Sequence, residues 1–160
     1  MSAEWLQRQA ENRDLAELRL LGTMLSRSDL APIALSRTSP DLFRREAHRV
    51  VAEALWSLNA DGRDLTLETL VDRLVGQDRM DHVGSAADLF AMLEYAESSL
   101  RSLDDLLAIE RRRNIYSVCT DGALKVTNPD VLPDDVAAEV FGKLRDADRP
   151  EERSPLTTDE

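Results

Sequence analysis

The chain has 160 residues, 42% hydrophobic and 32% charged, with 6 Gly and 6 Pro. That length suits one domain, and that balance excludes disordered, collagen-like and fibrous chains in favour of a helix-rich globular protein. The 20 Lys and Arg against 31 Asp and Glu leave a net charge of −11, a sign that repels a phosphate backbone and disfavours sequence-independent binding of nucleic acid.

No apolar run approaches the ~20 residues of a spanning helix, and the first residues lack an apolar signal core, so a cytoplasmic location is expected, with no membrane partner. Cys119 stands alone, which removes a disulfide framework and a cysteine metal cluster and leaves it a space-filling role. Lysine occurs only at positions 125 and 143. The remaining bases are Arg, whose bidentate contacts with carboxylates suit a protein partner.

In chain order, residues 1 to 13 read as a tail. A first helix is predicted from about Asp14, where Leu15, Leu18, Leu21 and Leu25 recur at helical spacing and Gly22 permits close approach of a neighbour. A brief helical segment with Pro32 follows. Ser39-Pro40-Asp41 predicts the start of a helix to about Asn59, with Phe43, Ala47, Val50, Val51, Ala54, Leu55 and Leu58 as its stripe and Asp61-Gly62 as its stop. Thr66 caps a helix carrying Leu67, Leu70, Val71 and Leu74, and Ser85 with Asp88 forms a capping box for the next one. After Ser98-Ser99, the longest element runs from about Leu103 to Val126, ~36 Å at 1.5 Å per residue. Asn128-Pro129 breaks it, and Pro133 starts a last helix with Val136, Val140, Phe141 and Leu144 in register. The predicted fold is all-α: a compact multi-helix bundle followed by a C-terminal antiparallel helical hairpin.

The chemistry of a catalyst is missing from this pattern. No phosphate-binding G-x-x-x-x-G-K-[ST] and no strand-led G-x-G-x-x-G is present. His48 and His82 lie far apart and outside H-E-x-x-H, so His48 reads as a packed helix residue and His82 as a solvated one. Asp104-Asp105 and Asp134-Asp135 fall at helix starts, where the helix dipole accounts for them. No catalytic residue, metal or cofactor is assigned. Arg111-Arg112-Arg113 form the one basic cluster, fanned over roughly 200° of helix; with Tyr116, Arg111 and Arg112 make a protein-contact patch, Arg and Tyr being enriched at interface anchors.

The order of these elements resembles the N-terminal domain of DnaB-type replicative DNA helicases. Leu15-Ala16-Glu17-Leu18-Arg19-Leu20-Leu21-Gly22 is similar to that family's E-A-E-x-x-x-L-G, with Leu15 in place of the first acid. Pro40-Asp41-Leu42-Phe43 through His48 to Val51 resembles P-x-x-F-Y-x-x-x-H-x-x-I-F. Gly62, Asp64-Leu65-Thr66-Leu67 and Met80-Asp81-His82-Val83-Gly84 follow the family's loop glycine, T-L helix start and glycine turn, with Ser85 replacing the second glycine. Residues 14 to 147 are covered.

The resemblance implies a collar domain without enzymatic activity that pairs subunits within a hexamer through its hairpin and docks the C-terminal domain of primase or a helicase loader. It adds Asp88, where relatives often carry an aromatic, to Arg111, Arg112 and Tyr116 as partner-binding residues. Because a two-helix hairpin cannot bury every apolar face within itself, Val118, Val136, Val140, Phe141 and Leu144 are assigned to self-association. The expected organisation is a tail (1–13), a globular subdomain (14–101), the hairpin (102–148) and the start of a linker to a missing motor domain (149–160). Two other readings carry less of the pattern: a standalone phage or plasmid adaptor acting on a host helicase or primase, and a small helical DNA-binding protein.

Overall fold

The structure is a computed structural model, described here for residues 2–148. Eight α-helices follow one another: α1 (Ala3–Ser26), α2 (Ala31–Arg37), α3 (Glu46–Ala60), α4 (Leu67–Gly76), α5 (Met80–Val83), α6 (Ala86–Met92), α7 (Arg101–Val126) and α8 (Pro133–Asp148), with 3-10 turns at Pro40–Leu42 and Leu93–Tyr95. No strand occurs among the described residues. Contacts divide the chain into two compact units at Ala108 and Ile109, inside α7. The break falls there because Ser102, Leu103 and Leu106 on the first turns of α7 are buried in the first unit.

The core of the first unit is built where helical periodicity places leucine on one face. Leu20, Leu21 and Met24 of α1 meet Val51, Leu55 and Leu58 of α3, Leu70 and Leu74 of α4, Leu89 of α6, and Leu103 and Leu106 of α7. Burying such a side chain stabilises the fold by ~1.5–3 kcal/mol. Phe43 is fully buried and meets Trp56 edge to face, ring centroids 6.3 Å apart. The predicted role of Gly22 is confirmed: a Cβ there would collide with the Met92 carbonyl oxygen, so α1 crosses the end of α6 backbone to backbone. Thr23 fixes the same crossing by accepting the Glu97 N–H at 2.9 Å.

Local signals account for most boundaries. Thr66 and Ser85 each form a reciprocal capping box, with Thr69 and Asp88 respectively. Gly62 and Gly84 take φ of 69° and 115°, where a side chain would be strained.

Three expectations are corrected. Residues 3 to 13 are helical rather than a tail; Ser2 accepts the Trp5 N–H and starts α1 at Ala3, although these turns are solvent-exposed until Arg13. The helix expected from Ser39 splits, since Ser39 makes no side-chain cap and the chain leaves helical geometry after Leu42. A distant carboxylate sets the restart: Glu17 of α1 accepts the backbone N–H groups of Arg44 and of Arg45, the N-cap residue, and so fixes the chain just ahead of α3. Cys119 is exposed and fills no space.

Candidate interaction surface on the hairpin

The second unit consists of α7 beyond Ile109, the turn, and α8. Roughly 100° of rotation per residue places Ile115, Val118, Gly122 and Val126 of α7 along one side. A Cβ on Gly122 would lie 2.5 Å from Val140 Cγ2, and Val136 is its next neighbour, so the two helices touch where α7 has no side chain. Val136 is the one buried apolar side chain from Ile109 onward among the described residues.

Charge closes the same seam. Lys125 Nζ lies 2.7 Å from Glu139 and 3.1 Å from Asp121, and Lys143 Nζ lies 2.9 Å from Glu139 and 3.9 Å from Asp121. Both lysines of the chain are therefore drawn into one four-residue network. The pairings run antiparallel, Asp121 with Lys143 and Lys125 with Glu139. The hydrogen bond from Lys125 and then that from Lys143 hold the Glu139 carboxyl down at about 2. The hydrogen bonds to Glu139 and then Asp121 raise Lys125 above its usual range. At the turn, Asn128 accepts the Asp130 N–H through its side chain, which turns the backbone ahead of Pro133.

The seam leaves several large apolar side chains exposed. Tyr116 is 62% exposed, Leu124 68%, Leu132 66% and Phe141 67%, with Ile115 and Val126 partly exposed. Phe141 lies ~100° around α8 from Val140, which explains why one packs on Gly122 and its neighbour faces water. An exposed set of this size on a small unit makes the hairpin the candidate interaction surface of the chain.

The residues singled out from the sequence therefore separate. Val136 and Val140 are taken up by the hairpin itself, Val118 and Leu144 are half-buried, and Phe141 projects outward. Arg111, Arg112 and Tyr116 are exposed on α7. Asp88 belongs to the first unit, and its carboxylate is held by Ser85, accepting the backbone N–H at 2.8 Å and lying 3.0 Å from the hydroxyl. Leu124 went unassigned as a site residue although helical spacing sets it opposite Gly122. Leu132 was missed because it falls in the turn, where an apolar residue just before Pro133 was the only sign.

The DnaB-like helicase N-terminal domain family matches residues 9–112. The chain belongs to this family. Its fold is shared with a solved structure, the N-terminal domain of DnaB helicase from Mycobacterium tuberculosis, at a TM-score of 0.67 and 20% identity over 82% of this chain and 95% of that one. No curated protein matches the chain. The all-α fold and the DnaB-type resemblance read from the sequence both hold. The family match ends four residues into the second unit, so the exposed apolar set of the hairpin of this DnaB-like domain lies beyond it. Among the described residues no helix is long and apolar enough to cross a membrane.

Proposed function

We propose that this DnaB-like domain is a non-catalytic collar of a replicative DNA helicase that works by gripping other polypeptides. Subunits pair through exposed apolar side chains of the hairpin, Phe141 of α8 and Leu124 of α7 among them, and primase or a helicase loader docks on the stretch of α7 carrying Arg111, Arg112 and Tyr116. The observation that carries the proposal is the imbalance within the second unit: one buried apolar side chain against four large ones about two-thirds exposed. Family membership supplies the helicase context. Asp88 has the lesser part, since its carboxylate is already engaged in the cap.

Pairing is read by light scattering at tens of micromolar. The wild-type domain is expected as a dimer or larger, and Phe141→Asp as a monomer of unchanged helicity. A monomeric wild type, or a Phe141→Asp protein of unchanged mass, overturns the pairing. Val140→Asp is the poorer probe because Val140 packs on Gly122 and its loss opens the hairpin itself. For docking, the C-terminal domain of the cognate primase is expected to be captured by wild type and lost on combining Tyr116→Ala with Arg112→Glu. Equal capture by both, or capture by neither, overturns the docking face.

A further inference from the structure

We propose that Asp14, Glu17 and His48 form a binding site for one divalent transition-metal ion of the zinc class between α1 and α3. One ligand atom from each of the three lies within 4.8 Å of the other two. Glu17 is fully buried and His48 is 3% exposed. The carboxylate of Glu17 uses Oε1 to accept the backbone N–H groups of Arg44 and Arg45 just ahead of α3. Its Oε2 has no hydrogen-bond partner, and neither does Nδ1 of His48.

These two orphaned atoms face each other at 3.7 Å, beyond the reach of a hydrogen bond. The separation suits a different relation. An imidazole nitrogen and a carboxylate oxygen each ~2.0–2.2 Å from a shared ion, at a near-tetrahedral angle, stand roughly 3.3–3.6 Å apart, so a shift of a few tenths of an ångström brings the pair to that spacing. A single ion there satisfies both atoms, each of which is otherwise buried without a hydrogen-bond partner.

Asp14 completes the donor set. It lies three residues before Glu17 on the same face of α1. Its side chain is 40% exposed, so it lies on the solvent side of the cluster and gives an ion its way in. An imidazole nitrogen and carboxylate oxygens are ligand types that zinc takes, and three protein ligands leave a fourth position for water. Two negative charges match the ion. One guanidinium group competes with it: Arg45, 3.5 Å from Asp14 and more than half exposed, is free to swing outward.

The test is calorimetric titration of zinc chloride into the metal-stripped domain, with the visible absorption of cobalt(II) as the reporter of ligand geometry. One equivalent is expected to bind and to raise the melting temperature of the wild type. Asp14→Asn, on a half-exposed side chain that the fold does not need, is expected to weaken binding at least tenfold and remove the melting shift, as is His48→Gln. His82→Gln and Cys119→Ser, the other soft ligands of the chain, are expected to leave both unchanged. Absence of saturable binding to wild type, or binding that Asp14→Asn leaves undiminished, overturns the site.

Discussion

The two units handle the same kind of residue in opposite ways. The first buries Leu20, Leu21, Leu55, Leu58, Leu70, Leu74, Leu103 and Leu106 almost completely, whereas the second buries Val136 and leaves Leu124, Leu132 and Phe141 in water. Leucine has the same affinity for an apolar environment in both, so what differs is geometry. Helices packed around a centre enclose a volume, while two helices side by side enclose only a seam. The first unit is thus stabilised from within, while the second keeps large apolar side chains outside its own seam.

The largest test of that contrast pairs Leu55→Ala with Phe141→Ala. Leu55→Ala removes a fully buried side chain and is expected to cost about 2–5 kcal/mol in urea unfolding. Phe141→Ala removes a larger side chain and is expected to change the stability of the isolated subunit by no more than ~0.5 kcal/mol, while weakening self-association. Equal losses would erase the distinction between the units.

Next comes Gly22→Ala. Its new Cβ meets the Met92 carbonyl, part of the backbone, which cannot give as a side chain end can. The expected loss is about 1–3 kcal/mol, read from the urea midpoint. Gly142→Ala supplies the opposite sign on the hairpin: nothing lies within 4 Å of its added Cβ, and relief of helix-interior glycine is expected to gain ~0.5–1 kcal/mol. A loss at Gly142 would mean that α8 is already packed on that side.

The smallest effect is electrostatic. Glu139 is held down to about 2 by Lys125 and Lys143, so its contribution to the hairpin is fully present above its ordinary value near 4.5 and is lost as pH falls from there through about 2. Lys125, raised above 10.5, contributes below that value and is lost as pH rises past it. Circular dichroism between pH 5 and pH 2 is expected to show helix loss in wild type that Glu139→Gln, already lacking the pair, does not show over the same interval. An identical acid profile in both proteins would remove the network from the account of the hairpin.

Much of the fold was legible because its signals are local. Thr66, Ser85 with Asp88, Asp61-Gly62 and Pro133 lie within a turn of the boundaries they set, and leucine spacing marks the core faces. The break between Leu42 and Glu46 was not legible, since the group that restarts α3 is Glu17, 27 and 28 residues from the N–H groups it receives. The start at Ala3 was hidden because its exposed turns carry no apolar stripe. On the hairpin, periodicity identifies Val136, Val140 and Phe141 as apolar helix positions, but only the absence of a side chain at Gly122 decides which two turn inward. The Glu17–His48 encounter is likewise tertiary: two unremarkable helix residues become neighbours once α1 lies against α3.

The confinement of lysine to positions 125 and 143 gives this hairpin a natural optical property of sorts, a chemical transparency everywhere else. Reagents that acylate primary amines find only those two side chains besides the α-amino group, and both nitrogens sit beside Glu139. Modification rates at the two sites, followed by mass spectrometry, will therefore report how open or covered this one seam is, without any engineered label and without background from the rest of the domain.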